Sequence, residues 1–258
     1  MTHGNVHLRI DGAIASVTFD RPAARNAMTW AMYEALASIC ERLREDRSVR
    51  VVRFRGAGGE AFVAGTDIAQ FESFASGEDG VEYERRIEAG MVLLESLPMP
   101  TVAVIEGWCV GGGLAIATAC DFRMCTPASK FGVPIARTLG NCLSIGNVAR
   151  LVAAFGGPRT LRMLLAADML STDEASACGY VSEVVAPAEL DAASDRMCAK
   201  LAALAPFTQA VSKEMLARLR SSALPQAEDL IRRCYASEDF REGVQAFVAR
   251  RSPVWRGR

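Results

Sequence analysis

The stretch EGWCVGGGLAIATACD, Glu106 to Asp121, sets three consecutive glycines inside an apolar run that resumes at helical length. A strand that runs straight into a helix through glycines leaves unpaired N–H groups at the helix start, where partial positive charge collects. Glycine also removes the Cβ that would hold a ligand away from the main chain. Gly111–Gly113 can thus serve an anion or a developing oxyanion, or they can allow close strand–helix packing. The residues that follow, Leu114 to Ala117, carry no group able to move a proton.

Outward from this turn the chain alternates strands with helices. PTVAVIEG supplies the strand that enters the turn, and VHLRIDGAIASVTFDRP reads as a hairpin. It has apolar alternation in Val6–Ile10, a turn at Asp11-Gly12, alternation again to Phe19, and a stop at Arg21-Pro22. Between them, Asn26 to Arg44 carries Met28, Met32, Leu36, Ile39 and Leu43 at helical spacing. VRVVRFRGAG reads as a strand closed by glycines, GGEAFVAGTDIAQF as a loop, and Val81 to Ser96 as a charged helix. This order predicts an α/β fold, a sheet flanked by helices. Past the turn, DFRMCT reads as a short strand. GGPRTLRMLLAAD, STDEASACG, Leu190–Leu204 and most of the remainder to Arg250 read as helices. Ser171 followed by Asp173 and Glu174 has the form of a helix N-terminus, and Gly179 that of a terminating glycine. The pattern divides the chain into a core at 1–195 and a helical region at 196–258.

The 258 residues suit one large domain. With 29 basic against 30 acidic groups there is no single-sign surface for nucleic acid, and YERRIEAG and IRRC set their arginines beside acids. The eight cysteines are scattered without the paired spacing of a zinc site and read as reduced core residues of a cytoplasmic protein. MTHGNVHLRIDG lacks the features of a secretory signal. Thr101–Cys120 is long enough to span a membrane but contains Glu106 and the glycines, so buried sheet and helix is the better reading. His3 and His7 read as surface residues of the first strand region.

A second turn of small residues, AFVAGTDIAQF at Ala61–Phe71, brings another glycine to the end of a strand region just before a helix. Two such backbone turns facing one another would make an oxyanion hole. AFVAGTDI, taken together with IEGWCVGGGLAIATACDFRMCT, resembles the crotonase superfamily, the enoyl-CoA hydratase/isomerase family. DRPAARNAM near the start, LSTDEASACGYVSEVV in the middle and EGVQAFVARRSPVW at the end are similar to further segments of that family, so the resemblance covers nearly the whole chain. It implies a crotonase-type ββα spiral core with a helical C-terminal region used in trimerisation, assembled as a homotrimer or a dimer of trimers. It implies a coenzyme A thioester as substrate, with no permanently bound cofactor and no metal. The implied oxyanion donors are the backbone N–H groups of Ala64 and Gly112. CoA is implied along Ala61–Ile68, including Thr66 and Asp67, and beside Gly111, with Arg25 meeting a phosphate. Asp67 read on its own caps the following helical start.

The chain departs from the family at the two glutamates with which its hydratases add water to an enoyl double bond. The first position is Ala115. The second falls at Ile135 when counted from Phe131-Gly132, or at Ala136 when counted back from Gly140. General acid–base help contributes about 10²–10⁴-fold, so ordinary hydration is expected to be poor. The polar groups that could reach the pocket are Thr66, Arg137, Thr138, Asn141, Cys142, Ser144, Asn147 and the acids Glu72, Glu82, Glu84 and Glu88. Loss of CO₂ generates an enolate directly and needs an oxyanion hole more than a base. On that decarboxylase reading Arg137 or Asn141 would orient a carboxylated acyl group. Another thioester reaction and a non-catalytic acyl-CoA binder are the competing expectations.

Overall fold

The computed structural model describes residues 4–221 and 226–256. The expected hairpin forms: β1 (Asn5–Asp11) pairs antiparallel with β2 (Ile14–Asp20), and β2 turns Ala15, Val17 and Phe19 into the core. α1 (Trp30–Glu45) begins later than its apolar spacing suggests, because the Thr29 side chain accepts from the Met32 N–H and caps it there.

From this point one unit repeats. β3 (Val51–Gly56) leads into β4 (Ala61–Ala64) and α2 (Gly77–Glu95). β5 (Thr101–Ile105) leads into β6 (Trp108–Val110) and α3 (Gly112–Ala119). β7 (Phe122–Cys125) leads into β8 (Lys130–Gly132) and α4 (Ile135–Thr138). After α5 (Ile145–Leu165), the strand β9 (Met169–Ser171), α6 (Thr172–Ala177) and the strand β10 (Glu183–Val184) complete the sheets. Their orders are β1-β2-β3-β5-β7-β10 and β4-β6-β8-β9. Each unit therefore gives its first strand to one sheet and its second strand to the other, which is the ββα spiral.

One of the two central strands of the six-stranded sheet, β5, is buried at all five residues. That burial explains the unbroken apolar run Val102–Ile105, since a parallel strand covered on both faces has no solvent side to mark with polar residues. Phe19, Phe54, Phe62, Met32, Leu43 and Leu114 fill the main core. Full burial of such a side chain is worth about 1.5–3 kcal/mol. The sheet's other face, at Val51, Val102, Val104 and Met124, is covered by α7 (Leu190–Ala202).

The expected boundary at residue 195 falls inside α7. Leu190 and Ala193 before it and Cys198 and Leu201 after it lie in one cluster on the sheet, so no break in packing occurs there. Arg53 on β3 adds a hydrogen bond to Ser194 at 3.1 Å and an ion pair with Asp195, and Arg55 reaches Asp191 at 2.7 Å. α8 (Pro206–Ser221) follows. α9 (Glu228–Tyr235) and α10 (Glu238–Val248) then return to pack Ile231, Tyr235, Phe240 and Val244 against Phe71 and Val81. The far end of the chain thus becomes a wall behind α2.

At α6, Ser171 and Glu174 form a reciprocal capping box, as their spacing predicts. Gly179 takes the left-handed conformation after that helix, with φ +76°. α5 extends further towards the N-terminus than GGPRTLRMLLAAD suggests. Ser144 caps a first segment, and the helix bends at Gly156, where φ is +75°. No helix among the described residues is long and apolar enough to cross a membrane.

Candidate active site

The site is built where the two small-residue turns meet. Gly111 caps α3 with φ +53° and ψ −118°, a conformation that L side chains disfavour. A side chain at Gly113 would overlap the Val63 carbonyl of β4, and one at Gly112 would overlap the Tyr33 hydroxyl. Gly113 therefore serves close strand–helix packing. Gly112, the first residue of α3, has an N–H with no acceptor among the described residues, as helix geometry dictates for a first turn.

The second turn is organised by Gly65, with φ +92°. The Met28 N–H donates to the Gly65 carbonyl at 2.9 Å and the Asp67 N–H donates to the Met28 carbonyl at 2.8 Å. These two bonds bracket Thr66 in a parallel bridge, so the Thr66 N–H points to the opposite side and has no acceptor among the described residues. Ala64 differs from the expectation set for it, because its N–H already donates to the Arg25 carbonyl at 3.0 Å. The free donor on this turn is Thr66. A Cβ on Gly111 would lie 3.5 Å from Gly65 Cα, and one on Gly112 would lie 3.3 Å from Thr66 Oγ1, so the two turns touch.

Beside them lies a cavity of about 30 Å³, room for about two water molecules. Gly111, Gly112, Ala115, Val133 and Leu143 line it, and Glu84 of α2 contributes its acid. Ala115 thus faces the cavity but brings no proton carrier. Ile135 packs partly buried against the core instead.

Glu84 is 2% exposed. Its Oε1 accepts from the Tyr235 hydroxyl at 2.8 Å and its Oε2 from the Ser144 N–H at 2.6 Å. Burial pushes its carboxyl up to about 7, against the lowering pull of those two donors, and nearby Glu88 adds to the rise. Of the other acids named from sequence, Glu72 and Glu82 are exposed. Glu88 forms an ion pair with Arg150 at 2.8 Å, and Arg150 also binds Glu95 at 2.9 Å. Among the described residues, the surroundings hold three carboxyls, Glu84, Glu88 and Glu95, against the Arg150 guanidinium.

Two residues of the expected set lie elsewhere. Arg137 is exposed on α4, and Asn141 donates to the Tyr235 hydroxyl at 3.2 Å; neither lines the cavity. The Tyr33, Thr66 and Tyr83 hydroxyls, unnoticed as a group in the sequence, form a chain with Tyr33–Thr66 at 2.8 Å and Thr66–Tyr83 at 3.0 Å. Asp67 accepts from the Ala69 N–H and caps the short helical turn Ile68–Ser73, as its own sequence context predicts, while pairing with Arg21 at 2.8 Å. Ala61 is buried in β4, and the Arg25 side chain is largely exposed, 3.9 Å from Glu60. His7 is exposed and pairs with Asp20 at 3.0 Å, and His3 lies outside the described residues. The eight cysteines are free thiols, five of them buried.

Comparison with known proteins extends the picture over the full chain. The sequence model of the enoyl-CoA hydratase/isomerase family matches residues 9–258. The chain is 29% identical to the short-chain-enoyl-CoA hydratase of Clostridium acetobutylicum, over 97% of each chain. It is similar to the crystal structure of an enoyl-CoA hydratase/carnithine racemase from Magnetospirillum magneticum, with 34% identity, a TM-score of 0.79, and 98% of this chain and 96% of that one covered. A methylmalonyl-CoA decarboxylase structure superposes with a TM-score of 0.89 over 98% of each chain. At 23% identity that likeness is one of fold.

Proposed function

We propose that the chain, which belongs to the enoyl-CoA hydratase/isomerase family, polarises the thioester carbonyl of a short, uncharged acyl-CoA between the main-chain N–H groups of Thr66 and Gly112. The observation that carries this reading is the pair of unpaired donors on two touching turns at the edge of a small, mainly apolar cavity. Donors fixed by the backbone need no reorganisation as charge builds on the carbonyl oxygen. Each is typically worth about 3–4 kcal/mol of transition-state stabilisation.

The cavity's size supports an acyl group of few carbons. Its charge balance supports an uncharged one, since an acyl carboxylate would meet a surplus of negative groups. Arg137 and Asn141, the groups expected to orient an acyl carboxylate for decarboxylation, do not line the cavity, which favours an uncharged acyl group over a carboxylated one. With Ala115, and Ile135 or Ala136, at the positions where the resemblance puts the two hydratase glutamates, crotonyl-CoA hydration should run at least about 10³-fold below that of a two-glutamate relative.

The test is the infrared spectrum of butyryl-CoA labelled with ¹³C at the thioester carbonyl. Bound to the protein, its carbonyl stretch should move to lower wavenumber than in solution. An unshifted stretch in the saturated complex overturns the reading. A shifted stretch with no turnover of any short thioester would make the protein an acyl-CoA binder that has the polarising pair but no reaction.

A further inference from the structure

We propose that Glu84 is the catalytic acid–base residue of this site, supplied from α2 in place of the carboxylates absent at positions 115 and 135. This inference rests on the thioester-polarising reading above and assigns its chemistry as proton transfer at carbon.

The placement carries the argument. Among the described residues, Glu84 is the one carboxyl that shares the cavity with Gly111, Gly112 and Ala115 and is not held by a cation. Glu88 and Glu95 are both engaged by Arg150. A buried acid held on a helix by one hydroxyl and one main-chain N–H has a fixed position, which proton transfer to a bound carbon requires. Tyr235 reaches it from α9 and Ser144 from the start of α5, so both are positioning residues. The other titrating or charged groups around it are Cys234 on α9, Cys142 in the loop before α5, Tyr33 on α1, Tyr83 and Glu88 on its own helix, and Arg150 on α5. Only Arg150 among these is a cation, and its charge is taken up by two other acids. The Glu84 carboxyl therefore changes charge near neutrality.

The step balances without any co-reactant. The Glu84 carboxylate takes a proton from the carbon next to the thioester carbonyl. The C–H electron pair becomes the C=C bond of the enolate, and the carbonyl π pair moves onto the oxygen facing Thr66 and Gly112. The resulting carboxylic acid returns the proton to the same carbon or, for a 3-enoyl chain, to the γ-carbon with migration of the double bond. One acid suffices for this, whereas the family's hydration uses two.

The experiment follows isomerisation of 3-butenoyl-CoA to crotonyl-CoA across pH. The wild-type rate should rise through an inflection near 7, as Glu84 ionises. E84Q should lose at least about 10²-fold in kcat while still shifting the carbonyl stretch of bound butyryl-CoA. Y235F removes a hydrogen bond that lowers the Glu84 carboxyl, so the inflection of its remaining activity should move to higher pH; this readout stands even where E84Q folds poorly. E84Q at the wild-type rate, or Y235F with an unmoved inflection, overturns the assignment. A wild-type protein that shifts the carbonyl but transfers no proton overturns it as well and leaves the polarising pair standing. An unshifted carbonyl in the wild type removes the underlying reading.

Discussion

The Tyr33 hydroxyl fills the space that any side chain on residue 112 would need, and it shares a 2.8 Å hydrogen bond with Thr66. Residue 112 is therefore constrained by a neighbour's oxygen atom, whereas Gly113 is constrained by the Val63 carbonyl of the backbone. The difference is testable. Gly112→Ala should cost about 1–3 kcal/mol from overpacking in the wild-type background. In a Tyr33→Phe background the same change should cost at least about 1 kcal/mol less, because the obstructing oxygen is gone. Gly113→Ala should show no such relief. Chemical denaturation of the four-member cycle measures the coupling, and additive costs would mean that Tyr33 does not contact residue 112.

Glu84 links acidity to stability. Its carboxyl rises from an ordinary 4.5 to about 7, so between those values the folded chain holds a proton that the unfolded chain has released. Its contribution is complete below the lower value and is lost as pH rises through the upper one. A shift of this size corresponds to about 3 kcal/mol. The unfolding free energy of wild type relative to E84Q should therefore fall by about that amount from pH ~4.5 to pH ~8. A difference that is flat with pH would show that the carboxyl is solvated.

Arg150 holds two acids at once, with Glu88 at 2.8 Å and Glu95 at 2.9 Å, in surroundings where its side chain is 10% exposed. Replacing it with methionine keeps much of its volume but leaves two carboxylates facing each other. The expected loss is about 3–5 kcal/mol near neutral pH. The loss should shrink in acid, as the stranded carboxyls take up protons. Lysine, a point charge without the planar fork, should recover only part of it. A variant as stable as wild type at pH ~7 would show that the network contributes nothing net.

Sequence pattern carried the hairpin, the apolar β5 strand and the Ser171–Glu174 cap, because each depends on neighbours along the chain. Three-residue strands such as Lys130–Gly132 and Met169–Ser171 are too short to display a two-residue period, so the second sheet was not legible. The choice between Ala64 and Thr66 turned on the distant Arg25 carbonyl, which no local pattern reports. Glu84 had left a signal. Val81, Ile87, Met91 and Leu94 are buried at helical spacing, and Glu84 stands in their stripe rather than with the exposed Glu82, Arg85 and Arg86. An acid on the apolar face of a helix marks a burial that charge counting along VEYERRIEAG hides.

The two donors assigned to the thioester carbonyl belong to the main chain. A single codon change can replace any side chain, but among the coded residues only proline removes a peptide N–H. Mutation thus has very few routes to erase the donors directly and many to exchange the groups around them. A lineage built on such a scaffold would keep its carbonyl-binding corner through long divergence while its proton carrier migrates from one helix to another. Its members could then differ in the reaction they perform far more readily than in the bond they address.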